Sequence, residues 1–378
     1  MPKEYKKEEL VKIAKRDNNK KRSYLLVDPL QGKHIPVSPA KALSLFRTLA
    51  DKILENYPEE KLLVIGFAET ATAIGAAVTP ENSWYIQTTR EEAADSEYLF
   101  FSEAHSHASE QKLIKNNLKE MIEKTDRILF AEDEITTGNT IWNIKEILEK
   151  EYPEKKLKFG VISILNGMND ENSRRFDREE IKCLYLIKLS EENYDEKLEK
   201  YTYENSLKHR SSFEKESFHI KKLSLAGYIN SRKGIAGDEY RKICLKLADD
   251  IMGKLKKEEF EDKTLLVLGA EEFMYPAMVT GERIEREWKC SEVKFHALTR
   301  SPILPSSEED YPLHSRYELK SLYDEKRTVY IYDLKKYDKV IIIHDSTESE
   351  GKGFDTLISA LRKNKCEDIT IFQWSDLD

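Results

Sequence analysis

Residues Ile128 to Thr140 read Ile-Leu-Phe-Ala-Glu-Asp-Glu-Ile-Thr-Thr-Gly-Asn-Thr. An apolar segment runs directly into two adjacent acids, Glu132 and Asp133. A Thr-Thr-Gly-Asn-Thr turn follows, and the residues from Ile141 to Lys150 then have helical spacing. This order of parts predicts a buried strand, a turn and a helix, which is the building unit of an α/β fold.

The turn between the predicted strand and helix contains the groups of an anion site. A helix N-terminus leaves backbone N–H groups unpaired, and the aligned peptide dipoles favour a negative charge there. Gly138 lets the backbone approach an anion closely, and Asn139 is expected to cap the helix. Hydroxyl donors are added by Thr136, Thr137 and Thr140. The turn therefore predicts a phosphate cradle.

Glu132 and Asp133 are expected at the carboxyl end of the strand, where open α/β sheets bind ligands. Carboxylates in that position can accept hydrogen bonds from sugar hydroxyls. Together, the acids and the turn favour a site for a ribose 5-phosphate. The alternative is an ordinary strand, turn and helix with a polar cap.

The same stretch resembles the 5-phosphoribosyl-1-pyrophosphate (PRPP) signature of type I phosphoribosyltransferases. That signature consists of apolar residues, two acids, a short spacer and Thr-Gly-x-Thr. The resemblance implies that Glu132 and Asp133 hold the ribose 2′- and 3′-hydroxyls. It also implies that Thr136 to Thr140 hold the 5-phosphate.

Composition limits the class of protein. The chain has 378 residues, 35% of them charged, and a net charge of −8. This balance is typical of a cytoplasmic protein and argues against a nucleic-acid binder that works through a broad basic face. No apolar run reaches the roughly 20 residues of a membrane span. Four widely spaced cysteines without a Cys-x-x-Cys pattern predict neither a disulfide framework nor a metal site.

Strands alternate with helices along the chain, which favours a mostly parallel, doubly wound sheet. The first half also contains a predicted strand over residues 33–37 and a predicted helix over residues 112–124. The expected domains are a first domain over residues 1–200, a connecting segment over 201–235 and a second domain over 236–378.

The second half repeats the order of parts of the first half. Four pairs of segments match in the same order along the chain. They are Leu49–Ile53 with Leu247–Ile251, Leu62–Gly66 with Leu265–Gly269, Thr89-Arg90 with Thr299-Arg300, and Asp133 with Asp345. Chance similarity is the alternative, because apolar strands resemble each other. The second copy lacks a phosphate turn, since Glu348 and Glu350 occupy that region. We therefore expect two doubly wound, phosphoribosyltransferase-like domains, of which the second is a degenerate copy.

The tetrapeptide Thr299-Arg300-Ser301-Pro302 and the segment Leu268–Ala277 resemble the TRSP domain. That domain follows a phosphoribosyltransferase domain in proteins of bacterial tellurite-resistance-type (ter) gene clusters. The resemblance implies a role in making a nucleotide- or nucleoside-like metabolite. Ligand candidates in this domain are Glu271, Glu272, Thr299, Arg300, Ser301 and Asp345, with Arg300 the strongest candidate for binding an anion.

Further candidates lie in two loops of the first domain. The turn after Gly66 resembles the pyrophosphate loop of the transferases, in which Ala68, Glu69 and Thr70 would present backbone N–H groups. A helix-capping role through Thr70 or Thr72 is the alternative. Arg90 is a candidate for contact with pyrophosphate or the acceptor, and a surface arginine is the other interpretation.

Residues 91–111 correspond to the flexible hood of the family. His105 and His107 in this segment are candidates for orienting or protonating the leaving group, or for binding a metal. Two exposed loop histidines are the simpler interpretation.

The resemblance implies transfer of ribose 5-phosphate from PRPP to an unidentified, base-like acceptor, with Mg²⁺ bound through the substrate. No dedicated metal site, nucleic acid or membrane partner is expected. A homodimer, or enzymes of the same gene cluster, are possible partners. The alternatives are a non-catalytic PRPP sensor and a PRPP-synthase-like pair of domains, although the latter expects an ATP motif that the sequence lacks.

Overall fold

The computed structural model describes residues 3–17, 22–101, 111–190, 192–210, 220–348 and 350–375. The chain is an α/β protein that divides into two compact units. Unit 1 comprises residues 1–5, 44–191 and 229–243, and unit 2 comprises residues 6–43, 192–228 and 244–378. No helix in the described ranges is long and apolar enough to cross a membrane.

The strands are short, as is usual in α/β proteins. Those of the first half are β1 (Lys12–Lys15), β2 (Tyr24–Val27), β3 (Leu62–Gly66), β4 (Trp84–Gln87), β5 (Tyr98–Phe101), β6 (Gln111–Ile114), β7 (Arg127–Ile135), β8 (Phe159–Asn166) and β9 (Lys182–Lys188). Those of the second half are β10 (Lys208–Arg210), β11 (Lys221–Leu225), β12 (Ile235–Ala236), β13 (Thr264–Gly269), β14 (Glu292–Ala297), β15 (Arg316–Lys320), β16 (Thr328–Tyr332), β17 (Lys339–His344) and β18 (Asp368–Trp374).

Most helices lie between consecutive strands of a sheet. The α-helices are α1 (Lys7–Leu10), α2 (Pro39–Asn56), α3 (Ala71–Val78), α4 (Leu118–Glu123), α5 (Asn139–Glu151), α6 (Asp170–Arg178), α7 (Tyr194–Leu198), α8 (Gly237–Gly253), α9 (Tyr275–Glu287) and α10 (Lys352–Lys363). Within the described residues, short 3₁₀ helices occupy Asn205–Leu207, Ser231–Lys233 and Lys257–Phe260.

Unit 1 is built on a six-stranded sheet in the order β12-β4-β3-β7-β8-β9. Strands β4, β3, β7, β8 and β9 are parallel, and β12 pairs antiparallel with β4. Every residue of β3 and β8 is buried, as expected for parallel strands covered on both faces. Helix α3 packs so closely on β3 that a Cβ added to Gly75 would lie only 2.8 Å from the Gly66 Cα.

Unit 2 is built on a five-stranded parallel sheet in the order β11-β18-β17-β13-β14. Its strands β14-β13-β17-β18 follow the same order along the chain as β4-β3-β7-β8 of unit 1. In both units, an antiparallel hairpin separates the second strand of the chain order from the third: β5–β6 in unit 1 and β15–β16 in unit 2. The predicted parallel α/β architecture is therefore confirmed.

The compact units are interleaved along the chain, whereas the sequence predicted contiguous domains. Residues 6–43 belong to unit 2 because the β1–β2 hairpin packs into an apolar cluster of that unit. Ala14 and Val27 of the hairpin are fully buried there with Ile303, Leu313 and Tyr332. The segment 229–243 belongs to unit 1, where β12 pairs with β4.

Two predicted elements of the first half differ from the structure. The predicted strand over residues 33–37 was wrong: these residues form a bend with an isolated bridge from Val37 to Phe295, because the chain crosses β14 at this point and Gly32 takes a positive φ of 74°. The predicted helix over residues 112–124 is confirmed only for α4, because residues 112–114 belong to β6 and pair with β5. Long-range pairing overrides local helical spacing in this segment.

Candidate functional site

The carboxyl ends of β3, β4 and β7 meet at one edge of the unit 1 sheet. Gly66 at the end of β3 pairs with Ala131 of β7 and with Gln87 at the end of β4. Strand β7 then continues beyond this level, paired with β8 alone, up to Ile135. The acidic pair and the turn that follow Ala131 therefore lie at the edge where parallel sheets bind ligands.

The acids Glu132 and Asp133 are both half-buried residues of β7 itself. The Asp133 Oδ1 accepts a hydrogen bond from the Glu134 backbone N–H at 3.0 Å. Because successive strand residues project to opposite faces of a sheet, the two carboxylates start out in different directions. The family resemblance implies that both acids hold the ribose hydroxyls, and single substitutions can test each carboxylate separately.

The turn Thr136–Gly138 connects β7 to α5. Thr136, Thr137 and Asn139 are exposed, Thr140 is half-buried, and Gly138 is buried. The predicted capping role of Asn139 was wrong, because Asn139 is the first residue of the helix. Gly138 is the N-cap, in a left-handed conformation with φ 75° and no side-chain cap. The Thr137 Oγ1 accepts a hydrogen bond from the Asn139 N–H at 3.3 Å.

Gly138 is required by conformation and by space. A Cβ at this position would lie 2.6 Å from the Phe176 Cε2 and 3.1 Å from the Met168 Sδ. We expect Gly138→Ala to lower the free energy of unfolding by about 1–3 kcal/mol from the backbone conformation alone, with the steric overlap adding to that loss. Chemical denaturation measures the change. Gly253→Ala is the matched control, since a Cβ there meets nothing within 4 Å, and an equal loss in both variants would contradict the prediction.

The loop after β3 lies next to this site. The Phe67 N–H donates to the Ala131 carbonyl at 3.1 Å, and the Ala68 N–H donates to the Thr88 Oγ1 at 2.8 Å. The Ala68 N–H, which was predicted to be presented to a ligand, donates to Thr88 in this structure. The peptide bond between Ala68 and Glu69 is cis. Glu69 is half-buried at the open end of the loop.

Thr70 and Thr72, the two candidates for the alternative capping role, make different contacts. Thr70 occupies the N-cap position of α3 but makes no side-chain cap hydrogen bond. The Thr72 Oγ1 donates to the Glu69 carbonyl at 2.9 Å. The hydroxyl of Thr72 thus fixes the loop.

The hairpin β5–β6 lies beside the loop that follows β3. Phe67 packs edge-on against Phe101 of β5, with ring centroids 5.8 Å apart. Thr89 is fully buried and pairs through its backbone with Lys112 of β6, and the half-buried Arg90 follows it. His105 and His107 lie outside the described residues, so their roles stay predictions.

In unit 2 the equivalent edge of the sheet carries a buried ionic cluster. Glu271, in the loop after β13, is fully buried, and its Oε2 lies 2.8 Å from the Arg300 Nε and 3.1 Å from the Arg327 Nη1. Its Oε1 accepts a hydrogen bond from the Ser321 hydroxyl. Glu272 is also buried, and its carboxylate lies 3.6 Å from the Arg300 Nη2. Arg300, the predicted anion-binding residue, is therefore held by two carboxylates of its own chain.

The neighbours of Arg300 in the tetrapeptide have structural contacts. Thr299 is fully buried, its backbone pairs with Tyr330, and its Oγ1 accepts from the Ser301 N–H at 3.2 Å. The Ser301 carbonyl accepts from the Tyr332 hydroxyl. Both residues thus anchor the loop that carries the Arg300 side chain.

Asp345 follows β17 as Asp133 follows the apolar part of β7. Its two carboxylate oxygens accept hydrogen bonds from the hydroxyls of Tyr323, at 2.6 Å, and Tyr228, at 3.0 Å. His344 precedes it in place of an acid, and burial lowers the pKa of this imidazole to about 4. Tyrosine hydroxyls therefore contact Asp345 in the way that sugar hydroxyls are expected to contact Asp133.

The N-terminus of α10 replaces the phosphate turn in unit 2. Gly351 is its N-cap, and the Glu325 Oε1 accepts from the Lys352 backbone N–H at 2.9 Å. This hydrogen bond lowers the pKa of the Glu325 carboxyl. A carboxylate of the same chain thus caps the helix end at which an anionic ligand would bind.

The buried ionic cluster predicts a large stability effect. We expect Glu271→Gln to lower the free energy of unfolding by about 3–5 kcal/mol, because it removes the buried carboxylate that Arg300 and Arg327 share. Thermal and urea unfolding measure the loss. Asp250→Asn, which removes the partner of Lys246 in an exposed ion pair on α8, is the control and should cost less than about 1 kcal/mol. Similar losses in the two variants would show that the cluster does not stabilise the fold.

Comparison with known proteins gives the family. A family model described as phosphoribosyl transferase matches residues 10–190. A model of the TRSP domain, which lies C-terminal to that transferase domain, matches residues 230–361. The chain belongs to the phosphoribosyltransferase–TRSP family. No curated protein gives a match.

Several solved structures of phosphoribosyltransferases resemble part of the chain. The adenine phosphoribosyltransferase of Giardia lamblia, complexed with 9-deazaadenine, is 13% identical, with a TM-score of 0.35; the match covers 48% of this chain and 95% of that one. The Rhodothermus marinus adenine enzyme is 14% identical, with a TM-score of 0.34 and coverage of 48% and 96%. A hypoxanthine phosphoribosyltransferase of Staphylococcus aureus is 14% identical, with a TM-score of 0.26 and coverage of 41% and 76%. At these values, no residue role is carried over from these enzymes.

The sequence of this phosphoribosyltransferase–TRSP protein did not indicate several residues that build these sites. In unit 2 they are Ser321, Tyr323, Glu325 and Arg327, which lie in and around the β15–β16 hairpin. Their partners are 22 to 56 residues away in the chain, so no local pattern indicates them.

Proposed function

We propose that the protein is an enzyme that transfers ribose 5-phosphate from PRPP to a base-like acceptor and releases pyrophosphate. The observation that carries this proposal is the turn Thr136–Gly138 at the carboxyl end of β7, directly after Glu132 and Asp133. The exposed Thr136 and Thr137, together with the first N–H groups of α5, form a place for a phosphate. The family match over residues 10–190 supports the same assignment.

In the proposed reaction, the bond between C1 of the ribose and the pyrophosphate oxygen breaks as a nitrogen of the acceptor bonds to C1. The bonding electrons leave with pyrophosphate, and the acceptor nitrogen loses its proton to solvent or to a base in the hood. Positive charge develops on the ribose ring, as in glycoside hydrolysis. Asp133 and Glu132 lie near the carboxyl end of β7, where we place the ribose, and their carboxylates would stabilise that charge.

We expect Mg²⁺ to bind mainly through oxygens of PRPP, since this ion takes oxygen ligands and usually only one or two of them from protein carboxylates. Glu69, Glu132 and Asp133 are half-buried carboxylates at this edge, and any one of them would be a suitable protein ligand. When bound, Mg²⁺ neutralises charge on the pyrophosphate group. No cluster of three His, Cys, Asp or Glu side chains among the described residues has the arrangement of a metal site.

We assign unit 2 as a degenerate copy of the transferase fold. The support is the shared order of four parallel strands and the hairpin inserted at the same point. Each expected ligand contact in this unit is made instead by a side chain of the protein. Glu271 contacts Arg300, tyrosines contact Asp345, and Glu325 caps α10. PRPP binding is therefore expected in unit 1 alone.

We further propose where the protein works and which molecules it interacts with. The composition suits a protein that works in the cytoplasm, and the TRSP match suits a metabolite pathway of a tellurite-resistance-type gene cluster. Its partners would be PRPP, a small acceptor and either a second copy or other enzymes of the cluster.

The alternative function is a PRPP sensor that binds without turnover. Incubation with PRPP, Mg²⁺ and a panel of purine, pyrimidine and other nitrogenous bases, with pyrophosphate release as the readout, separates the two. Release that depends on one base establishes the transferase. PRPP binding by calorimetry without release from any base would favour the sensor, and absence of PRPP binding would overturn both.

A further inference from the structure

Helix α6 brings a guanidinium group to the first residue of α5. The Arg175 Nη1 donates to the Asn139 Oδ1 at 3.1 Å. Asn139 directly follows Gly138, so Arg175 contacts the residue whose backbone N–H belongs to the phosphate turn. No feature of the sequence signature includes an arginine at this distance along the chain.

The guanidinium of Arg175 lies over the face of the Trp142 ring. Its central carbon lies 3.7 Å from the centroid of the Trp142 ring. Trp142 is itself fixed, because its Nε1 donates to the Glu146 Oε1 at 2.7 Å and its ring packs edge-on against Phe176 at 5.7 Å. Stacking and the hydrogen bond to Asn139 therefore pre-organise the arginine.

The same helix forms the floor of the turn. Phe176, the neighbour of Arg175, is 1% exposed and lies against Gly138 so closely that no Cβ fits between them. The contact between Phe176 and Gly138 thus holds the backbone of α6 next to the turn.

The charge of Arg175 has no counter-charge in the described part of the chain. Its contacts there are the amide oxygen of Asn139 and the face of Trp142. By contrast, the nearby Lys145 pairs with carboxylates of Glu149 and Glu179 at 2.9 and 3.2 Å. A half-buried, oriented arginine next to helix N–H groups has the chemistry to bind a phosphate.

We propose that Arg175 is a binding residue for the 5-phosphate of the ligand and supplies a charge-assisted hydrogen bond from outside the signature turn. This inference rests on the proposed function, since it takes the turn to be the phosphate site. It adds a cation from α6 to a turn that otherwise offers neutral donors.

The test is calorimetric binding of ribose 5-phosphate and of PRPP to the full-length protein. Arg175→Gln should weaken the binding of both by about tenfold or more, the usual scale for a lost hydrogen bond to a charged group. Arg174→Gln, an exposed arginine of the same helix, is the matched control and should change neither. Arg175→Lys keeps the charge without the planar stacking, and it should recover part of the affinity.

The outcomes separate this inference from the function on which it rests. If the wild-type protein binds both ligands and Arg175→Gln binds them as Arg174→Gln does, the role of Arg175 is wrong and the phosphate turn stands. If the wild type binds neither ligand, the proposed function fails and this inference fails with it. Thermal unfolding of Arg175→Gln close to that of the wild type shows that a loss of binding is not a loss of fold.

Discussion

Asp133→Asn is expected to lower kcat/KM for PRPP by about 100-fold or more, the scale observed when one preorganised group that stabilises transition-state charge is removed. The substitution keeps the size of the side chain and removes its negative charge. Positive charge on the ribose ring then develops without that carboxylate. Strand β7 keeps its pairing with β8 through Ile135, so stability should change little. Initial rates of pyrophosphate release and thermal unfolding measure the two effects.

Two further variants make this prediction sharper. Glu134→Gln, a neighbouring acid that the ribose 5-phosphate signature does not include, should retain most of the activity. Glu132→Gln reports separately on the first acid, because strand alternation divides the two carboxylates between faces. Unchanged turnover in Asp133→Asn, in a protein that releases pyrophosphate, would remove Asp133 from the site.

Thr137→Asp is expected to weaken PRPP binding by about 100-fold or more, since two like charges about 4 Å apart at a protein surface repel by several kcal/mol. Thr137 is exposed in the turn, so the substitution has space and needs no repacking. Its hydroxyl accepts from the Asn139 N–H at 3.3 Å, and a carboxylate can take over that hydrogen bond. The change therefore places a negative charge at the proposed phosphate site. Calorimetric titration with PRPP measures it.

Thr137→Asn is the matched control for the charge. It has nearly the same shape as Asp and keeps an oxygen that can cap Asn139, so binding should stay within about fivefold of the wild type. High salt should reduce the difference in PRPP affinity between the Asp and Asn variants, since it screens exposed charges. Equal affinities of the two variants at low salt would place the 5-phosphate elsewhere.

The sequence by itself determined the parts of unit 1 that depend on local chemistry. An apolar run followed by Glu132, Asp133 and a Gly-containing turn correctly predicted a buried strand, a turn and a helix. Strand–helix alternation in the second half predicted further parallel strands, and the structure contains them, among them Thr264–Gly269 and Lys339–His344. These signals are readable because strand burial and helix initiation depend on residues close together in the chain.

Only the tertiary structure decided which side chains meet. Arg300 is an anion-binding candidate in sequence, but in the fold it contacts Glu271 and Glu272, while Glu271 also holds Arg327. Residues 111–114 became a strand because β5 lies beside them. Arg175 reaches Asn139 because Phe176 packs under Gly138. Each of these contacts joins elements that are far apart in the chain, so it is fixed by how strands pair and helices pack, and a linear pattern carries no record of it.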